Sequence, residues 1–433
     1  MAGGQVGRPL FGIALSRFFV DITPLRRSPD YRRLYVGQAI TFLGRQLTVV
    51  AAPIQVYALT QSSFAVGLLG LAQLGPLIVG SLLGGSLADA HDRRRLMLAA
   101  QSALLVCSIG LAINATGPGG GRMWPIYALT ALQAGLSGID SPTRNAATPG
   151  LVGPDYITAA AALNQILFQV GGVLGPALAG VLIASVGLSA AYWVDALCFV
   201  AALAALVRLP PLPPEGGGTR ASLNSVGEGL RFLRGRPALQ GTFVVDLNAM
   251  VFGMPRALFP ALAATVFGGG PAVAGLLYAA PGAGALLGAV ASGWTGRVVH
   301  QGRAVLLAVA GWGIAIALFA STSWLPLALV CLAVAGFADV VSAVFRNTIL
   351  QLTVPDRLRG RLSAIHIAVV SGGPRLGDAE AGAVAAVTSP QFSAVSGGLL
   401  CVLGVAVMAW WNPAFASWTR ERGASERIEE PPP

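Results

Sequence analysis

Along the chain, apolar residues gather into long stretches separated by short polar or Gly/Pro-rich breaks, and the alternation repeats twelve times. The expected spans are 35–58, 65–88, 94–115, 124–146, 159–184, 189–208, 240–264, 272–298, 303–321, 324–346, 362–387 and 394–412. Each is close to the roughly 20 predominantly apolar residues that a helix needs to cross a hydrocarbon core of about 30 Å. The pattern therefore predicts an all-α integral membrane protein with twelve transmembrane helices. The first apolar stretch follows an arginine-bearing arm and exceeds the length of a signal-peptide core, so it is expected to remain in the protein. Within that arm, Leu10 to Val20 form an apolar segment suited either to the membrane surface or to a disordered tail.

The polar connections fix an orientation. Every one of the 28 basic residues is Arg, and an excess of cations in short loops marks the cytoplasmic side. Arg26, Arg27, Arg32, Arg33, Arg93 to Arg95, Arg231, Arg234, Arg236, Arg303, Arg357, Arg359, Arg361, Arg420 and Arg422 fall in alternate connections or at the termini. Only Arg122 falls in a loop of the opposite set. Both termini are expected in the cytoplasm, in a multi-pass protein of the plasma (inner) membrane.

Composition agrees with the pattern and narrows the function classes. The chain is 55% hydrophobic and 11% charged, against roughly 25% charged in soluble domains. The net charge of +10 is distributed over membrane-flanking loops and is not gathered with aromatics on one surface, which argues against a nucleic-acid partner. Cys107, Cys198, Cys331 and Cys401 lie inside predicted helices without metal or disulfide spacing, and read as small buried hydrophobes. His91, His300 and His366 are scattered, so no metal site is expected. Without a Walker loop, a dinucleotide fingerprint or a nucleophile elbow, no cofactor is expected, and an ATP-driven pump or a membrane enzyme is disfavoured.

The chain repeats itself. Leu25-Arg26-Arg27-Ser28-Pro29 parallels Leu233-Arg234-Gly235-Arg236-Pro237; the stretch from Gly80 to Arg95 parallels that from Gly288 to Arg303. Segment 4 ends in Arg144-Asn145 and then Pro154-Asp155, segment 10 in Arg346-Asn347 and then Pro355-Asp356. Two pseudo-symmetric six-helix bundles follow, over 34–208 and 239–412, with an arm over 1–33, a cytoplasmic linker over 209–238 and a disordered tail over 413–433. Pro210, Pro211, Pro213, Pro214 and Gly216 to Gly218 break any helix in the linker.

This plan, with parallel six-helix repeats, is that of the major facilitator superfamily, and particular residues resemble it. Gly85-Ser86-Leu87-Ala88-Asp89 followed by Arg93, Arg94 and Arg95 resembles the superfamily's loop 2–3 motif. Gly171, Gly175, Pro176 and Gly180 in segment 5 are similar to the motif of proton-coupled exporters, with Ala179 in place of one closing Gly. Ser28-Pro29-Asp30-Tyr31, Leu59 to Ser63, Phe252 to Pro260, Leu358 to Leu362 and Gly373 to Asp378 resemble the enterobactin-exporter-like branch, and the likeness runs from about residue 25 to 412. The Arg that the superfamily carries near the middle of segment 4 is missing. The resemblance implies a proton antiporter that exports a siderophore or drug-like molecule; a monomer is expected. It also implies a latch in which Asp89 pairs with a basic group such as Arg144 when the cytoplasmic side closes. Arg297 stands at the position equivalent to Asp89 in the second half, so the gate is expected to be asymmetric.

Ionisable residues inside the spans are the remaining candidates, because a charge at bilayer depth costs at least about 2.5–3.5 kcal/mol and normally faces a partner or water. Asp140 and Arg144 are one turn apart in segment 4, and Asp339 and Arg346 occupy a similar depth in segment 10. These four read as gate residues or as packing pairs. Asp246, with Arg256 three turns on, and Arg375, Asp378 and Glu380 in segment 11 are candidates for proton coupling, Glu380 and Asp246 foremost. Arg45 is an isolated cation placed to meet an anionic substrate or one of these acids. Asp195 in segment 6 is assigned to structure. Two alternatives stay open: uptake by proton symport, and a non-transporting sensor or scaffold.

Overall fold

In a computed structural model the chain is almost entirely helical. The structure describes residues 21–214, 231, 233–354 and 356–419, with 356–368 as backbone only. The segment 10–20, most of the linker and the end of the tail lie outside the described residues.

Twelve long elements match the twelve spans: α1 Pro29–Thr60, α2 Ser63–Ala90, α3 Arg93–Ala115, α4 Met123–Val152, α5 Ile157–Val186, α6 Leu188–Leu206, α7 in two pieces, Pro237–Phe252 and Phe259–Thr265, α8 Gly270–Ala291, α9 Gln301–Ser321, α10 Leu325–Thr353, α11 Asp356–Val387 and α12 Pro390–Trp411. Among the described residues, ten of them are long and apolar enough to cross a membrane by length and composition. Side-chain caps set several starts: Ser28 accepts from the Tyr31 amide, Ser62 from Ala65, Asp92 from Arg95 and Ser389 from Phe392. Between α1 and α2 the chain reverses in two residues, with Gln61 in the left-handed conformation at φ 51°.

Three expectations are corrected. The seventh span is not continuous: Gly253 and Pro255 interrupt it, because proline removes an amide donor and its ring opposes the preceding helical turn. The eighth stops at Ala291 and continues as the tighter turn Ser292–Arg297. The tail expected to be disordered from 413 opens with the helical turn Pro413–Ala416, and Phe415 and Trp418 are fully buried.

The first six and the last six helices form two bundles, sealed by small residues, as in membranes where close backbone approach replaces the hydrophobic drive. A Cβ on Gly84 of α2 would lie 2.7 Å from the Gly138 carbonyl of α4. In the second bundle, Gly284 and Gly288 of α8 press in the same way on Ala333 and Phe337 of α10. Large apolar side chains such as Val106, Leu197, Leu307, Val330 and Trp410 point outward, as a lipid-facing perimeter requires.

Contacts between the bundles are concentrated on the face remote from the termini. There a Cβ on Gly180 of α5 would lie 2.8 Å from Gly275 of α8, and one on Gly382 of α11 would lie 2.6 Å from the Ser63 carbonyl of α2. Toward the termini, Gly85, Gly293 and Gly296 have no atom within 4 Å of such a Cβ.

Candidate functional site

Two cavities of about 300 Å³ each lie between the bundles and share Gln46, Val49, Arg256 and Tyr278, so they are lobes of one central space. The first lobe is polar. Arg45 and Thr48 of α1, Gln73 of α2, Gln133 of α4, Arg256 at the α7 break, and Arg375 and Asp378 of α11 line it. The second is walled by Met254, Phe259, Tyr278, Trp312 and Ile316, with Asp339 of α10 as its carboxylate.

The α7 break joins the two lobes. Interrupting a helix at membrane depth frees backbone groups that find no water in lipid and must be satisfied by protein or a cavity. Here the Trp312 indole donates to the Gly253 carbonyl at 2.9 Å, and the Tyr278 hydroxyl donates to the Arg256 carbonyl at 2.9 Å. The Ala257 amide donates to Asp378 Oδ1 at 3.0 Å. Side chains from α8, α9 and α11 thus hold the break open with Arg256 exposed to the cavity. Arg375 turns one nitrogen to the Ser371 carbonyl of its own helix and keeps Nε buried without a partner. Among the described residues, no ion pair within 4 Å reaches Arg45, Arg256 or Arg375.

The other predicted residues are distributed as follows. Arg144 pairs with Asp140 at 2.8 Å on its own helix, both side chains buried. Asp89 is exposed at the end of α2, and no ion pair reaches it among the described residues. Among the described residues the anticipated contact between Asp89 and Arg144 is absent, and Asp140 of the same helix neutralises that guanidinium. Arg93 and Arg94 cap neighbouring helices through the carbonyls of Ala146, Leu206 and Val207. Gly171 and Gly175 of α5 face Phe42 and Gln46 of α1, Gly180 faces Gly275, and Pro176 lines the second lobe.

Asp246 does not line the cavity. It is buried in an ion pair with Arg346 of α10, to which Asp339 is a second, longer partner at 3.7 Å. Its α7 piece ends at Phe252, before Arg256, so the two residues belong to separate elements. Glu380 is half-buried outside both lobes, on one helical stripe with exposed Leu376 and Ala383. The cavity carboxylate of α11 is Asp378. Asp195 is held by the Thr48 and Ser108 hydroxyls at 2.7 and 2.8 Å, and Gln133 donates to Ser108 at 3.0 Å. Cys107, Cys331 and Cys401 are buried and Cys198 is half-buried.

The sequence reading passed over Tyr278, Trp312 and Gln133. Two of them carry a usable signal: Tyr278 is the single Tyr of the second half, and Trp312 sits mid-span, away from the interfaces where membrane Trp is enriched.

A fold of paired six-helix bundles around a central cavity with one broken helix suits a carrier. The family described as transmembrane secretion effector matches residues 20–432. The chain belongs to that family of major facilitator transporters. It is 31% identical over 392 residues to the enterobactin exporter EntS of Escherichia coli O1:K1, covering 90% of this chain and 94% of that protein. The same identity and coverage hold for the enterobactin exporter EntS of Shigella boydii serotype 18. Among solved structures, the nucleoside transporter NupG matches with a TM-score of 0.71 at 12% identity, covering 89% of this chain and 99% of that one. A bacterial homologue of the iron transporter ferroportin, in an inward-facing state, matches at 0.66 and 14% identity over 90% and 99%. At such identities these two structures speak for the fold alone. Membership of the secretion effector family makes the chain a multi-pass membrane transporter of small molecules.

Proposed function

We propose that the chain is a secondary active exporter that moves a siderophore or drug-like molecule out across the plasma (inner) membrane in exchange for entering protons. The observation that carries this reading is the likeness to enterobactin exporters over nine-tenths of the chain. Alternating access is supported by two bundles sealed on one face and separated on the other. Taking the arginine-rich face with both termini as cytoplasmic, the sealed face is periplasmic and this is the inward-facing state, in which an exporter loads. Asp378 is the proton-exchanging acid on this reading, since it is the carboxylate of the polar lobe and sits against the α7 break. Arg45, Arg256 and Arg375 meet the substrate, and Asp339 serves the second lobe. Asp89 with Gly85, Arg93 and Arg94 forms the cytoplasmic gate, its carboxylate taking a partner when that face closes. The pairs Asp140 with Arg144 and Asp246 with Arg346 brace the helices beside the gate, and a monomer suffices.

Retention tests direction and energy source together. Cells lacking the protein are expected to retain more siderophore or drug than cells carrying it, and a protonophore should abolish the difference. Equal retention across a broad panel would sink export; higher retention in cells carrying the protein would indicate uptake.

A further inference from the structure

The charge of the polar lobe is lopsided. Three guanidiniums, Arg45, Arg256 and Arg375, line it with a single carboxylate, Asp378, a formal excess of two positive charges by 3 − 1. They come from both bundles: Arg45 from α1 of the first, Arg256 and Arg375 from α7 and α11 of the second. None of the three is in an ion pair within 4 Å among the described residues, and Arg375 Nε is buried without an acceptor. By contrast, Arg144 is neutralised by Asp140 and Arg346 by Asp246. A cluster with excess positive charge at membrane depth normally faces water, a counter-charge or backbone carbonyls, and here one nitrogen of Arg375 is taken by the Ser371 carbonyl. The adjoining lobe has the opposite character, with Met254, Phe259, Tyr278, Trp312 and Ile316 offering aromatic and apolar surface across the shared Arg256 and Tyr278.

We infer that the cavity selects an amphipathic organic anion, whose acidic groups lie among Arg45, Arg256 and Arg375 while an aromatic or apolar body fills the second lobe. The inference rests on the reading of this cavity as the transport site. Guanidinium is the fitting group for such a ligand, since its planar donors match carboxylate and phosphate oxygens and it stays charged throughout. A ligand with two negative charges brings the polar lobe to neutrality whenever Asp378 carries its charge. Because the three arginines belong to opposite bundles, the same anion ties the bundles together, which links occupancy to their approach. A neutral or cationic analogue leaves the cluster unpaired and is rejected.

The test uses the full chain in lipid nanodiscs and two dyes built on the same three-ring skeleton, anionic 5-carboxyfluorescein and cationic rhodamine 123. Equilibrium dialysis is expected to give carboxyfluorescein at least about tenfold tighter binding than rhodamine, weakened by added salt. Arg256→Gln and Arg375→Gln should each weaken it by about tenfold, the scale of one lost charge-assisted hydrogen bond. Arg256→Lys, which keeps the charge, should lose less than Arg256→Gln. Arg122→Gln, which removes an exposed charge outside the cavity, should bind as the wild type does, and melting temperatures check that each variant is folded. Rhodamine bound as tightly as carboxyfluorescein, no binding of either dye, or folded Arg256→Gln and Arg375→Gln that bind undiminished would overturn the inference. Reconstituted vesicles separate the two readings. Arginine-dependent binding without transport leaves the anion site standing and removes the export reading; transport indifferent to the arginines does the reverse.

Discussion

In the first half, Arg144 of α4 is neutralised by Asp140 one turn back on the same helix at 2.8 Å. In the second half the corresponding Arg346 of α10 reaches across to Asp246 of α7, with Asp339 of its own helix at 3.7 Å. A pair within one helix neutralises charge without tying that helix to its neighbours, whereas the cross-helix cluster fixes the long piece of α7 against α10 just before the break. Other equivalent elements differ in the same direction. Helix α5 carries no ionisable residue, while its counterpart α11 carries Arg375, Asp378 and Glu380 in its described part; α1 runs unbroken through Pro53, while α7 is interrupted at Gly253. Two bundles of one ancestral plan have thus diverged in role. The first contributes Arg45 to the polar lobe, and the second contributes Arg256, Arg375, Asp378 and the irregular backbone at the α7 break.

The largest effect expected from this contrast is on stability. Arg346→Met leaves Asp246 and Asp339 without their cation, and removing one partner of a buried ion pair costs about 3–5 kcal/mol. The variant should melt well below the wild type in detergent, and Arg144→Met, which orphans one carboxylate, should fall between them. The triple change Asp246→Asn, Asp339→Asn and Arg346→Gln, which removes all three charges, should recover most of the loss. An Arg346→Met protein that melts with the wild type would erase the distinction between the halves.

Asp195 provides a smaller effect within the first half. Its carboxylate is held by two hydroxyls and not by a close cation, so the stabilisation at stake is that of hydrogen bonds to a charged acceptor, about 1.5–3 kcal/mol each. Asp195→Leu should lower the melting temperature by less than Arg346→Met, and Asp195→Asn, which keeps an acceptor oxygen for Thr48 and Ser108, by less again. A loss for Asp195→Asn as large as that for Arg346→Met would mean that the first half also depends on a buried charge.

Much of the architecture was legible because length and apolarity alone mark a membrane helix, and because residues such as Arg144-Asn145 and Arg346-Asn347 recur in register between halves. The α7 break was legible in principle: Gly253 and Pro255 are in plain view, but the apolar run continues through them and masks the interruption. Partner choice was not legible. Arg346 has an acid on its own helix, Asp339, and nothing local indicates that it turns instead to Asp246, a hundred residues earlier. The arginine cluster was half legible, since Arg45, Arg256 and Arg375 each stand out as in-span cations, while their convergence depends on how two bundles dock.

The smallest effect concerns two acids two residues apart. Successive residues of an α-helix advance by about 100° around the axis, so Asp378 and Glu380 point about 200° apart. When Asp378 lines the polar lobe and accepts the Ala257 amide, Glu380 faces the perimeter with Leu376 and Ala383. It lies seven residues before Val387, about 10 Å from that end of α11 at 1.5 Å per residue, within reach of a flexible side chain that extends toward the interface. Glu380→Gln is therefore expected to change stability by no more than about 0.5 kcal/mol and to leave proton-driven flux unchanged. Asp378→Asn keeps an acceptor for Ala257 but loses the titrating group, and should abolish that flux while the protein stays folded. Measuring flux driven by an imposed pH gradient in vesicles of each variant separates the two positions. If Glu380→Gln uncouples transport and Asp378→Asn does not, the proton travels along the outer stripe of α11, and the cavity of the second half binds substrate without carrying the coupling.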